Sequence, residues 1–91
     1  MQYQSSPRFD RSVARLDATR KRSVQETVER LVAAFETGQA PAGLGLTQLR
    51  PNLWECRAGL SDRVVFYRRR DAVEFLLAGN HDGIKRFLRD W

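Results

Sequence analysis

A chain of 91 residues has room for two packed layers around one small core, so an expectation of one domain over residues 1–91 follows. At 42% hydrophobic residues it is too apolar for disorder, while sixteen Lys and Arg against eleven Asp and Glu leave a net charge of +5. One Cys and one His exclude an internal disulfide framework and any zinc-site spacing.

The first residues, Met1 to Arg11, are polar and lack the apolar stretch of a signal peptide. No run approaches the ~20 apolar residues of a membrane helix. The expectation is a soluble cytoplasmic protein with no membrane partner. Of the sixteen cations fourteen are Arg, and only Lys21 and Lys85 are Lys. Arg carries a planar fork of donors that suits phosphate and carboxylate, so the functional reading is a polyanionic partner, a nucleic acid or an acidic protein segment, and the plain alternative is a GC-rich genome that favours Arg codons.

In chain order, Ser5-Ser6-Pro7 predicts a helix start, a hydroxyl cap before a proline in the first turn. Phe9, Val13 and Leu16 then form one apolar stripe at helical spacing. Asp17-Ala18-Thr19 re-caps the chain for a longer helix with a stripe of Val24, Val28, Leu31, Val32 and Phe35, which Gly38 stops. Gln39 to Leu46, with Pro41, Gly43 and Gly45, reads as a loop. The period then changes from helical to alternating. Strands are predicted at Thr47–Arg50, Leu53–Ala58, Arg63–Arg69 and Val73–Ala78, with turns at Pro51-Asn52 and Arg68 to Asp71. The tail from Asp82 to Trp91 places Ile84, Phe87 and Leu88 at helical spacing, with Asn80 or Asp82 as its cap. The fold class is α+β: an N-terminal helical hairpin packed on a twisted antiparallel sheet of about four strands, with a C-terminal helix. An opening strand at Met1 to Gln4 would add Tyr3 to a sheet edge.

Side chains alternate faces along a strand, which sorts the central hairpin by parity. With Arg57 opposite Arg63, the residues Trp54, Cys56, Val64 and Phe66 share an apolar face toward the helices. Leu53, Glu55, Arg57, Arg63, Val65, Tyr67 and Arg69 share the other face. On the next strand Val73, Phe75 and Leu77 fit the helix-side core, leaving Glu74 and Leu76 on the open side, and His81 emerges just past its end. Two arginines opposite each other repel unless an anion lies across them. Glu55 supplies part of that charge, and a phosphodiester would supply it better, because two guanidinium forks can clamp its oxygens. The plain alternative is a solvated salt-bridge ladder.

The segments Leu53-Trp54-Glu55-Cys56-Arg57 and Ser61-Asp62-Arg63-Val64-Val65-Phe66-Tyr67 resemble the central hairpin of the RelE/ParE toxin superfamily. There the hairpin follows a helical pair and a Gly-Leu-Gly-Leu loop, the place held here by Gly43-Leu44-Gly45-Leu46 and Leu49. The resemblance runs from Phe9 to about His81. It implies a toxin of a type II toxin–antitoxin module, with a cognate antitoxin as partner. RNA-cleaving members are metal-independent endoribonucleases (mRNA interferases) that inhibit translation by cutting mRNA on the ribosome, with the 2′-hydroxyl attacking the adjacent phosphate, so the resemblance implies that no metal or other cofactor is needed. In the YoeB-like subgroup an Arg and a His stand eighteen residues apart, as Arg63 and His81 do here. The resemblance thus implies that Arg63 holds the scissile phosphate, Arg57 assists, and His81 moves protons, with Glu55 the alternative base. Arg50, Tyr67 and Arg69 would steer or stack on RNA.

The chain also departs from that pattern. YoeB-like chains end at a His-Tyr pair, whereas Asn80-His81-Asp82-Gly83 leads into a further helix, and the carboxylate of their pre-hairpin loop has no counterpart among Ala42 to Leu46. The lysine cluster common in RelE-like chains is missing from the hairpin. Two alternatives therefore stand beside the nuclease: a ParE-like toxin that inhibits DNA gyrase, and an inactive antitoxin-binding relative.

Overall fold

Each helix is set by a local cap. In a computed structural model, which describes residues 1–39 and 43–91, the Ser6 hydroxyl accepts from the Phe9 N–H at 3.0 Å and Pro7 opens α1 (Pro7–Ala14). Asp17 accepts from the Arg20 N–H at 2.9 Å and opens α2 (Ala18–Thr37). That helix stops at Gly38, whose φ of 72° is left-handed backbone that suits glycine. Asn80, rather than Asp82, caps α3 (His81–Arg89) by accepting from the Gly83 N–H at 3.0 Å. The predicted loop from Gln39 to Leu46 lies in part outside the described residues, at 40–42.

Five strands form one sheet: β1 (Gln2–Ser5), β2 (Thr47–Arg50), β3 (Leu53–Ala58), β4 (Asp62–Arg68) and β5 (Ala72–Gly79). Their spatial order is β1-β5-β4-β3-β2. The expected four-stranded antiparallel sheet is therefore corrected to five strands in a mixed sheet, because β1 pairs in parallel with β5. A bare β5 edge would leave backbone groups unpaired, and the short polar β1 covers it. The Gln2 N–H donates to the Asp71 carbonyl at 2.8 Å and the Ser6 N–H to the Phe75 carbonyl at 2.9 Å.

The central hairpin has the expected register, with Arg57 opposite Arg63 and Cys56 opposite Val64. Phe66, Val64 and Cys56 sit with Val24, Leu31, Leu44 and Phe75 in the core beneath α1 and α2. The β4–β5 ladder is less regular. Val65 faces Leu77 while Phe66 faces Phe75, so Leu76 is an extra residue. Such a bulge resets the parity of a strand. Leu77 consequently leaves the helix-side core, where alternation had put it, and Ala78 takes that face.

The second face also differs from expectation. It is not an open basic surface along its whole length, since α3 lies across it and buries Leu53, Val65, Leu76 and Leu77 against Ile84 and Phe87. The Asp82–Trp91 tail read as amphipathic, and its apolar stripe needs such a cover. The end of the sheet at the β3–β4 turn stays uncovered, and Arg57 is exposed there.

The turn itself is tied to α2. Asp62 is buried and its carboxylate accepts two bonds from Arg20, at 2.7 Å and 2.8 Å, a bidentate pair that anchors the start of β4. Phe66 is 1% exposed, whereas Trp54 packs at the margin of the same core. Replacing Phe66 with Ala is expected to lower the unfolding free energy by about 3–5 kcal/mol, and Trp54→Ala by less. Urea unfolding of both variants checks this; equal losses would place Trp54 in the interior.

Candidate functional site

Parity and register bring two cations to the open end of the sheet. Arg57 and Arg63 occupy one rung of the β3–β4 ladder, on the face turned away from α1 and α2. Directly opposite residues of an antiparallel pair have Cβ atoms about 4.5–5.5 Å apart. The next rung position on β5 is Gly79, opposite Arg63. A Cβ there would meet nothing within 4 Å, so the strand leaves open space beside the Arg63 side chain.

His81 follows one turn of chain later, as the first residue of α3, and is exposed. Arg57, Arg63 and His81 line one cleft of about 310 Å³, together with Ser61, Asn80 and Asp82. Glu55 lies below them. It is 9% exposed, and Arg63 Nη1 donates to its Oε1 at 3.5 Å. Asp62 also borders the cleft, but its carboxylate is taken by Arg20 on the opposite face. The cleft thus keeps two guanidinium groups with one partly shielding carboxylate beneath and Asp82 at the rim.

The other three predicted residues lie elsewhere. Tyr67 and Arg69 are at the far end of β4, where the Arg69 guanidinium sits 5.6 Å from the Tyr67 ring centroid and Trp91 packs on the same ring at 5.7 Å. Arg50 ends β2 and donates from Nη1 to the Leu49 carbonyl at 2.7 Å.

Two contributions escaped sequence reasoning. One is Gly79, whose lack of a side chain opens the space next to Arg63. The other is Gly45, with φ +61°: a Cβ there would overlap the Arg57 guanidinium, which lies across this glycine. The loop is held against β3 as well, since the Arg57 N–H donates to the Leu44 carbonyl at 2.6 Å and Leu44 is buried. The Gly-Leu-Gly-Leu motif therefore has a physical meaning: Leu44 plugs the core and Gly45 makes a seat for Arg57. The signal was present in the motif, but its partner is visible only in three dimensions.

Among the described residues no group of three or more His, Cys, Asp or Glu could hold a metal ion. No described helix is long and apolar enough to cross a membrane. Cys56 takes no part in the cleft. It is fully buried on the helix side, and burial first, with the Glu55 charge second, pushes its thiol from the ordinary 9.0 up to about 12.

No protein-family model matches the sequence, and no curated protein matches it. Solved structures do match by shape. The RelB–RelE antitoxin–toxin complex from Methanococcus jannaschii superposes with a TM-score of 0.71 at 10% identity, over 96% of this chain and 98% of that one. The Escherichia coli DinJ–YafQ toxin–antitoxin complex gives 0.70 at 12% identity, over 91% and 94%. The archaeal RelE–RelB complex from Pyrococcus horikoshii gives 0.62 at 13%, over 87% and 92%. The chain has the α+β fold of the RelE-like toxins.

Two outcomes follow from the geometry. Because the fold accepts Cys56 only as the neutral thiol, this group's share of stability is complete below pH 9.0 and is lost as pH rises from there toward about 12. Thiol-reagent labelling at mildly alkaline pH should be slow in the folded protein and fast in urea; rapid labelling without denaturant would contradict the burial. Gly45→Ala should destabilise by about 1 kcal/mol or more, through its positive φ and its overlap with Arg57. Adding Arg57→Ala should return at least about 0.5 kcal/mol of that loss, and simple additivity in the double-mutant cycle would mean the two do not touch.

Proposed function

We propose that the protein is the toxin of a type II toxin–antitoxin module and acts as a metal-independent endoribonuclease. The observation that carries this reading is the cleft in which Arg57, Arg63 and His81 meet. The RelE-like fold supports the toxin role, and the neighbours solved as complexes with antitoxins support an antitoxin as this chain's partner.

In this reading Arg63 and Arg57 receive the two non-bridging oxygens of a phosphodiester. Their paired positive charge is better matched to the extra negative charge of the pentacoordinate transition state than to the ground state, which is the condition for catalysis rather than mere binding. The 2′-oxygen of the preceding ribose attacks phosphorus and loses its proton; the bond from phosphorus to the 5′-oxygen breaks and that oxygen gains one. The products are a 2′,3′-cyclic phosphate and a free 5′-hydroxyl. His81 is the group suited to one of these proton transfers, since it is exposed at the cleft and its imidazole nitrogens can both donate and accept a proton. Glu55, tied to Arg63, is better placed to orient that guanidinium than to reach an RNA hydroxyl itself.

Induced expression followed by transcript end-mapping tests the proposal. Wild type should arrest translation and leave cut transcripts. Arg63→Ala should slow cleavage by about 10²–10³-fold and His81→Ala by about 10²–10⁴-fold, both with unchanged circular dichroism. Growth arrest with intact transcripts and induced DNA-damage response would point instead to gyrase. Cleavage that survives Arg63→Ala would remove the phosphate clamp.

A further inference from the structure

The cleft lies at one end of α3, and a second cationic depression lies at the other. Arg50, Lys85, Leu88 and Arg89 surround a hollow of about 290 Å³ where the end of β2 meets the last turns of α3. Neither Lys85 nor Arg89 belongs to the set of residues just discussed.

The two depressions are connected by one flank of the helix. His81, Lys85 and Arg89 follow one another at intervals of four, and residues four apart lie one above the other on a helix surface. The buried stripe of Ile84 and Phe87 faces the sheet beside them. From His81 to Arg89 the helix rises about 12 Å. The opposite wall has the same length. Arg57 stands at one end of β3 and Leu53, the partner of Arg50, at the other, about 13 Å along the strand. Helix flank and strand share both depressions: Arg57 and His81 line one, and Arg50 and Arg89 line the other. Lys85 stands between, exposed.

We infer that this flank is an extended binding track for the sugar-phosphate backbone of single-stranded RNA, leading out of the cleft to a second phosphate subsite formed by Arg50, Lys85 and Arg89. The inference rests on the reading of the cleft given above and extends it. A stacked strand advances roughly 3.4 Å per nucleotide, so a 12 Å track spans three to four nucleotides beyond the scissile phosphate. Spaced cations with no carboxylate lining the hollow suit a chain of evenly spaced phosphates. The fourth member, Leu88, is half-buried and offers an apolar surface for a sugar or base edge.

The test uses the full chain and two fluorescein-labelled RNAs, a dinucleotide and a dodecanucleotide, with a 2′-O-methyl group at each linkage to prevent cleavage. Anisotropy titrations are run across a salt series on wild type, Lys85→Gln/Arg89→Gln and Arg63→Ala. Wild type should bind the longer RNA more tightly. The double variant should lose that advantage, and its salt dependence for the longer RNA should be shallower by about 1.4 in log–log slope, the share of two cations on a single strand. Its dinucleotide binding should stay unchanged, and its helical circular dichroism should match wild type. The track is overturned if the double variant binds the dodecanucleotide as wild type does, or loses both RNAs equally. Arg63-dependent dinucleotide binding with an indifferent double variant removes the track and leaves the cleft reading standing. Failure of wild type to bind either RNA, with an acidic peptide held in their place, overturns both.

Discussion

Two guanidinium groups on one rung of an antiparallel ladder are an unfavourable arrangement, and much of this structure exists to hold it. Arg57 and Arg63 cannot turn to the other face, because strand parity commits their neighbours Cys56, Val64 and Phe66 to the core beneath α1 and α2. Sliding the register by one residue would exchange the faces and expose that core, so the hydrophobic interior enforces the electrostatic cost. Asp62 offers no relief, since Arg20 takes its carboxylate on the opposite side. Glu55 relieves it in part from below. The remaining imbalance is open to whatever anion enters from solvent.

The elements around this rung divide into those that fix it and those that leave it accessible. The Arg20–Asp62 pair and the Leu44 plug hold the hairpin end and the preceding loop, while Gly45 gives Arg57 a surface to lie on. Gly79 and the turn into α3 keep the space beside Arg63 free. The third helix covers the middle of that sheet face, burying Leu53 and Val65 under Ile84 and Phe87. Its placement turns what alternation alone describes as a broad basic face into a bounded cleft. Beside the buried Leu53, Glu55 and Val65, charge in a small polar opening acts more strongly than it would in open water.

Much of this was legible in the residues, for identifiable reasons. The caps at Ser6 and Asp17, the stop at Gly38 and the hairpin register all depend on interactions between near neighbours, which sequence patterns report well. Arg57, Arg63 and His81 were brought together by parity and by the short path from the end of β5 into α3. What was not legible depends on long-range partners. β1 carries one apolar residue in four, so nothing in it announced the parallel pairing with β5. The bulge at Leu76 has no glycine or proline to mark it, and it moved Leu77 to the other face. The seat that Gly45 provides for Arg57 joins a loop to a strand and has no periodic signature.

The parallel pairing of β1 with β5 has a consequence for how the chain comes into being. The Ser6 hydroxyl donates to the Leu76 carbonyl at 3.3 Å, a contact between residues 70 apart, and the Ser12 hydroxyl accepts from the Ala78 N–H at 3.0 Å. The earliest strand and the first helix thus have no seat until nearly the last one is made. A polypeptide emerging from the ribosome passes most of its synthesis with its opening segment waiting and its sheet unfinished, and closing so long a loop is slow compared with local helix formation. The cleft waits as well, because Gly79 and His81 follow Arg57 and Arg63 in the chain and come into place only with the end of β5 and the start of α3.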